Sequence, residues 1–249
     1  MEILYAIPSY RRPEQLRDKT LAFLLKHLVP KERITVFVAN QEEHAVYSAI
    51  DSEIKFVIGK EGLKEQRNFI FEYYPEDARV VSLDDDIEDV MQLTESSTLE
   101  PISNFQETVL FAFQECDKLK RNLWGLYPIK NAFFLSHNYS YDFKFIIGHL
   151  FGFVNKKMVL TLPLKEDYEL SAYYTQRDGG VLRLNYLCAK TKMFAKGGLN
   201  KSKNERKKLN KEVVELLLDM FPHLFAHNPK REGEVRCMRV GSRKVISIL

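Results

Sequence analysis

Four short apolar runs, separated by stretches with helical spacing, fill the first third of this 249-residue chain and leave it few folds to choose from. Ile3-Leu4-Tyr5-Ala6-Ile7, residues 34–39, residues 54–58 and Val80-Val81-Ser82-Leu83 read as buried strands. Between them, residues 13–27, 41–50 and 63–74 read as helices. Leu16, Thr20, Phe23 and Leu24 share one stripe of the first, Pro13 suits its opening, and Gln66, Phe69, Ile70 and Tyr73 are spaced around the third. Strand and helix in alternation, with short connections, imply right-handed crossovers. The expected fold is an α/β one: a mostly parallel, Rossmann-type, doubly wound sheet flanked by helices. Further on, residues 104–120, 165–177 and 211–224 read as helices. Residues 124–134, 145–155 and 181–187 read as strands, and residues 196–208 as a charged loop.

The fourth strand runs into Asp84-Asp85-Asp86. Adjacent carboxylates repel, so a cation is expected among them. Hard divalent ions such as Mg²⁺ or Mn²⁺ prefer carboxylate oxygens and bridge to phosphates. The carboxyl ends of strands are where open α/β sheets bind ligands, so a metal–diphosphate site is the first reading and a solvated acidic turn the alternative. Pro8, Ser9, Tyr10, Arg11 and Arg12 form a turn at that same edge, where guanidinium groups suit a diphosphate. Gly62 opens the 63–74 helix, whose first turns carry Lys64, Arg67 and Asn68 near amides that attract anions. Glu166-Asp167 follow Pro163 at another helix start. Either is a candidate general base if a dry cleft raises its pKa, and both equally suit the helix macrodipole. His223 and His227 are late imidazoles able to complete a metal shell, and His149 is placed along an acceptor cleft.

Charge divides the chain. Residues 183–249 hold 16 Lys and Arg against 6 Asp and Glu, whereas the rest holds 21 against 28. An acidic front with a basic end fits a metal site in one and a polyanion partner at the other, or simply a solvated basic face. Cys116, Cys188 and Cys237 are too dispersed for a disulfide framework or a zinc site, which points to a reducing, cytosolic setting. No apolar run approaches the length that spans a bilayer, and the first ten residues lack the order of a signal peptide.

Taken in order, IPSYRRP, GLKEQRN, VVSLDDD and KEDYELS resemble a nucleotide-sugar glycosyltransferase of the GT-A fold over roughly residues 3–187. Within that fold, EDYELSAYYTQRDGGVLRLNYLCAKT and the basic end are most similar to the TET/JBP-associated glycosyltransferases, which include base J enzymes and phage enzymes that decorate hydroxymethylated pyrimidines in DNA. The chain lacks a QxxRW element, which disfavours processive polysaccharide synthesis.

The resemblance implies a glycosyltransferase domain over residues 1–187, with a nucleotide-sugar half (1–90) and an acceptor half (91–187). Residues 188–249 become a basic extension that completes the cleft. It implies a nucleotide-sugar site of Pro8, Ser9, Arg11, Lys64, Arg67, Asn68, Asp84 and Asp85. Asp86, Asp84 and His227 would hold Mn²⁺ or Mg²⁺, with a UDP-sugar the expected donor. Asp167, with Glu166 beside it, would deprotonate the acceptor and give inversion. Lys196, Lys201, Lys203, Lys230 and Arg231 would grip DNA around an extruded 5-hydroxymethyl pyrimidine. No membrane or obligate protein partner is implied, and the setting is cytoplasmic, that of the host for a virus. The rivals are a transferase for a surface glycan or protein, a nucleotidyltransferase (whose G-x-G-T-R opening is missing), and a non-catalytic nucleic-acid-binding domain.

Overall fold

The computed structural model describes residues 1–191, 203–238 and 244–248, with the side chains of 203–206 excepted. Strand β1 (Leu4–Pro8) is followed by α1 (Pro13–Gln15), a π-helical segment (Leu16–Leu21) and α2 (Ala22–Lys26), which together occupy the stretch expected as one helix. A 3₁₀ turn (Lys31–Arg33) leads to β2 (Ile34–Val38), α3 (Gln41–Tyr47), β3 (Lys55–Ile58), α4 (Leu63–Tyr73) and β4 (Arg79–Leu83). Helix α3 starts where the Asn40 side chain accepts the Glu43 amide at 3.0 Å, a standard N-cap. Beyond the aspartates come β5 (Ile87–Leu93), β6 (Leu99–Pro101), α5 (Phe105–Leu119) and β7 (Leu123–Tyr127). Then follow β8 (Asn138–Ser140), β9 (Leu150–Val154), α6 (Glu166–Asp178) and β10 (Leu182–Thr191). The chain closes with α7 (Lys203–Met220), β11 (Phe225–His227), β12 (Val235–Cys237) and β13 (Val245–Ser247).

Eleven strands form one sheet, with the main order β13-β8-β10-β7-β9-β4-β1-β2-β3. The four N-terminal strands β3, β2, β1 and β4 are all parallel, as the alternation predicts. Strand β9 runs antiparallel between β4 and β7, which makes β7 parallel to β4. Strands β7 and β10 are parallel, and β5 and β8 pair antiparallel with β10. Side chains on the parallel strands alternate between two cores. Tyr5, Ile7, Val36, Val81 and Leu83 pack with Phe23, Leu24, Phe105 and Phe113 on one face. Ala6, Phe37 and Val80 pack with Ile70, Phe71, Leu170 and Tyr174 on the other. Burial on both faces is why β1, β2 and β4 read as continuous apolar runs, whereas β3, at the sheet edge, is exposed at Lys55 and Ile58.

Three expectations change. The strand predicted over 124–134 ends at Tyr127, because Pro128 has no N–H for the ladder; Asn131 then caps a 3₁₀ turn (Ala132–Phe134). The strand predicted over 145–155 is β9 alone, and residues 145–149 turn toward the aspartates instead. The charged stretch 196–208 is helical from Lys203 onward, in keeping with the high helix propensity of Lys, Glu and Arg. Strand β10 runs to Thr191, across position 187 where the sequence reading divides the chain. Beyond it, Val213, Val214 and Leu217 of α7 join Phe225, Val235 and Ala172 of α6 in a third core, and β13 extends the main sheet through β8.

Candidate active site

The parallel strands end in a row, and the turns that follow β1, β2, β3 and β4 bound a cleft of about 280 Å³. Its walls include Ser9, Tyr10, Arg12, Ala39, Lys60, Gly62, Gln66 and all three aspartates. Gly62, with φ of 103°, takes a backbone conformation that only glycine adopts freely, and it lets the chain enter α4 against the cleft.

The aspartate turn is held from an unexpected quarter. Thr20, fully buried in the π-helical segment, donates its hydroxyl proton to the Asp84 carbonyl at 2.7 Å and accepts the Ile87 amide at 2.9 Å. Widened π turns are frequent at functional sites, and here one presents a hydroxyl to the turn between β4 and β5. Thr20→Val is expected to lower the unfolding free energy by about 1–3 kcal/mol, because it strands the buried Ile87 amide. A urea midpoint equal to that of the wild type would show that the turn is held by other groups.

The three carboxylates have different surroundings. Asp85 is buried. It accepts the Ser9 hydroxyl at 2.7 Å and faces Arg12 Nη1 at 3.4 Å. Ser9 is in turn 2.9 Å from the Tyr47 hydroxyl, which accepts the Arg12 amide at 2.7 Å. Asp84 and Asp86 are only partly buried and line the cleft. Burial raises the pKa of all three, with Arg67 opposing it at Asp84, Ser9 and Arg12 at Asp85, and Lys19 and Arg12 at Asp86. Asp84 is pushed to about 7. Its side chain is 39% exposed, so water screens part of its charge.

Arg67 connects this cleft to the second acidic pair. Only 3% exposed, it donates from Nη2 to the Gly148 carbonyl at 2.9 Å, and the same nitrogen lies 3.6 Å from Glu166 and 4.0 Å from Asp84. Its guanidinium stacks over Phe151, and its buried Nε and Nη1 have no hydrogen-bond partner. Gly148 links the two sides: its amide donates to Asp167 Oδ2 at 3.2 Å, while Oδ1 accepts the Tyr168 amide at 3.0 Å. A methyl group on Gly148 would meet Arg67 Nη2 at 2.4 Å, so the contact requires glycine. Burial and then the Glu166 charge raise Asp167 to about 7, against Arg67 and the two amides, which lower it. The His149 ring is held neutral, its pKa lowered to about 4 by burial and by Arg67. Its carbonyl accepts the Asp84 amide at 2.9 Å.

The structure brings Pro8, Ser9, Asp84, Asp85 and Asp86 to one cleft, and sets Arg67 between Asp84 and Glu166. It places the remaining sequence candidates elsewhere. Arg11 adopts φ of 56°, stacks over Tyr10 and is exposed outside the cleft lining. Lys64 pairs with Glu65 at 3.2 Å. Asn68 is tied to both backbone groups of Leu160, at 2.8 and 2.9 Å, because an amide side chain matches a peptide donor and acceptor. His227, 65% exposed, faces Glu215 at 3.6 Å. Among the described residues no three His, Cys, Asp or Glu side chains are grouped to hold a metal ion, so the Asp84, Asp86 and His227 set does not come together. Lys196 and Lys201 lie outside the described residues, Lys203 begins α7, and Lys230 and Arg231 are exposed between β11 and β12.

Arg12, Lys60 and Gln66 take the cleft positions expected of Arg11, Lys64 and Asn68. Gln66 Oε1 accepts the Lys60 amide at 2.6 Å and fixes the loop before α4. The available signal was a polar side chain on an apolar helical stripe, a description that fits Thr20 and Gln66 equally.

No family model and no curated protein matches the chain. Solved structures do. A mannosyltransferase from Pyrobaculum calidifontis, in complex with GDP-Man and Mn²⁺, aligns with a TM-score of 0.55 and 11% identity over 92% of this chain, which spans 66% of that protein. Glucosyl-3-phosphoglycerate synthase from Mycobacterium tuberculosis, in complex with Mn²⁺ and UDP-glucose, aligns with a TM-score of 0.54 and 12% identity over 97% of this chain and 88% of its own. At these identities the likeness is one of fold: a GT-A-like α/β architecture with a large sheet and helices on both faces.

Proposed function

We propose that the chain is a glycosyltransferase that moves a sugar from a nucleotide-sugar to a hydroxyl acceptor. The observation that carries this reading is the junction at Arg67, where a cleft ending in Asp84 and Asp86 lies one guanidinium away from Glu166-Asp167 at a helix start. The fold is shared with two enzymes solved with Mn²⁺ and a nucleotide-sugar.

The residues fit a divalent cation. Asp85 is satisfied by Ser9 and Arg12, whereas Asp84 and Asp86 face the cleft as half-buried neighbouring carboxylates. One or two carboxylates completed by substrate phosphates is the usual holding pattern for Mg²⁺-like ions, so a set of three protein ligands is not required. When bound, such an ion neutralises charge on the departing diphosphate. Arg12, Lys60 and the amides at the start of α4 line the space for the nucleotide.

Asp167 is the general base. Gly148 and Tyr168 each occupy one lone pair of its two oxygens, which orients the carboxylate and leaves it able to accept the acceptor's hydroxyl proton. The freed oxygen attacks the anomeric carbon, the bond to the diphosphate breaks, and attack from the far side inverts the centre. Glu166 serves as Arg67's counter-ion at 3.6 Å, which separates the roles of two adjacent acids.

The acceptor read from the sequence is a 5-hydroxymethyl pyrimidine in DNA. Its support is the surplus of ten positive charges over residues 183–249, together with Lys230 and Arg231 on an exposed turn. The test is to incubate the protein with Mn²⁺, a panel of nucleotide-sugars and either hydroxymethylcytosine DNA or saccharides, and to weigh the digested products. A mass gain of one sugar on the nucleoside is expected. A gain on saccharides alone would reassign the acceptor, and no donor consumption under any condition would overturn the transferase reading.

A further inference from the structure

The connection from β7 to β8 displays apolar side chains that a soluble surface normally hides. Phe133 is 86% exposed, Phe134 48% and Ile129 51%, all within six residues. The display is built. Leu135 and Ala132 on the inner side pack against Leu93, Met91 and Leu99 of β5 and β6 and against Cys188 of β10. Asn131 accepts the Phe133 amide at 3.1 Å on its side chain and the Phe134 amide at 3.0 Å on its carbonyl. The turn is thus clamped from below while its two rings, 5.1 Å apart and set at 83°, face outward.

The place of the turn limits what covers it. Ser82 and Gly125 both pair with Phe151, from opposite sides of β9. Tyr127 therefore ends level with Asp84, two strand spacings or about 10 Å to the side. The loop rises from the same sheet edge as the aspartates and rests on the strand that leaves them, so a partner seated there shares the edge with the acceptor. Charge narrows the choice further. From Lys118 to Tyr141 there is no Asp or Glu, Lys130 is exposed three residues before Phe133, and Arg183 stacks over Tyr127 at 4.9 Å; the acids of the hairpin beneath, Glu95 and Glu100, are on β6 and the turn before it rather than on the ring-bearing turn. Exposed rings with a lysine beside them in sequence, on a turn that itself carries no acid, suit a polyanion with planar groups.

We infer that Phe133 and Phe134 form a stacking platform for the bases of a nucleic-acid acceptor. This rests on the DNA-acceptor reading and adds to it the surface that holds bases flanking the reacting one. Both rings lie outside the donor cleft, so the platform is separable from donor chemistry.

The experiment compares the wild type with a Phe133→Ala/Phe134→Ala double variant, using a fluorescein-labelled single-stranded oligodeoxynucleotide. Anisotropy is expected to show binding weakened by about 5-fold to 150-fold for each stacked base lost. Metal-dependent consumption of donor by water should stay at the wild-type rate. Unchanged oligonucleotide affinity would overturn the platform, as would a wild type that turns over donor yet binds no oligonucleotide. Weakened oligonucleotide binding with no donor turnover in either protein would uphold the platform and sink the transferase reading instead. A Phe133→Trp variant adds a direct signal, since Trp124 is the sole native tryptophan and is fully buried. Quenching by the oligonucleotide supports stacking. A blue shift with phosphatidylserine vesicles and none of that quenching would overturn it in favour of a lipid surface.

Discussion

Asp167→Asn should lower glycosyl transfer by roughly 10²–10⁴-fold while donor binding is retained, the span expected when a positioned proton acceptor is removed. The asparagine keeps the shape, but its single carbonyl oxygen can accept only one of the Gly148 and Tyr168 amides and its NH₂ cannot accept the other, a cost of about 1–3 kcal/mol in stability that a urea titration reads separately from activity. The asparagine cannot take a proton at neutral pH. The pH profile gives a sharper test. Burial raises the Asp167 pKa to about 7, and the base must be ionised to work, so wild-type transfer should climb as pH rises through about 7. The residual activity of the variant should lack that limb. Stability runs the other way. A carboxyl whose folded pKa lies above its unfolded value, about 4, binds more protons when folded, so wild-type stability should fall as pH rises from about 4 to 7 and level off above. The variant should therefore gain on the wild type at pH 8 relative to pH 4. A variant with full transfer activity would move the base to Glu166 or to another group. Glu166→Gln serves as the comparison, because it tests a residue 3.6 Å from Arg67 whose role is to balance that charge.

Asp86→Ala should remove the response to divalent metal. In the wild type, Mn²⁺ with a nucleotide-sugar at 100 times its dissociation constant should raise the unfolding free energy by about 2.7 kcal/mol through mass action. That gain should vanish in the variant, and turnover should fall by roughly a thousandfold if several kcal/mol of leaving-group stabilisation are lost. Without metal, the sign reverses. Asp86 sits beside two other carboxylates in a site whose burial raises the pKa of all three, so its removal relieves repulsion and desolvation. The metal-free variant should be at least as stable as the metal-free wild type by thermal melting. A variant less stable than the wild type without metal, yet equally stabilised by Mn²⁺ and donor, would make Asp86 a structural turn residue and leave the cation to other groups.

The readable parts of this protein were local. Strands β1 to β4 and helices α3 and α4 were legible because apolar runs and helical spacing repeat within ten residues, and Pro13 marked the start of α1; the Asn40 cap of α3 went unread. The aspartates at the end of β4, and Glu166-Asp167 at the start of α6, could be placed because their neighbours set the end of one element and the beginning of another. The 124–134 strand was over-extended through Pro128, although the proline itself gave warning. Strand β5, which the sequence reading did not assign, mixes Glu88 and Asp89 with Ile87, Val90, Met91 and Leu93 in no clear alternation; it is a strand because β10 pairs with it.

Amino-acid order by itself determined a parallel α/β sheet and a cluster of carboxylates at its edge, since hydrogen-bonding period and chain reversal are properties of neighbouring residues. Only the tertiary structure decided which charges those carboxylates meet. Arg67 pairs with Asp84 and Glu166 rather than standing open to a nucleotide, Asn68 is committed to Leu160, and Thr20 holds a turn 64 residues away. Burial and Coulomb attraction act through space, and the strands that bring residues 20, 67, 84, 148 and 167 together are distant in the chain.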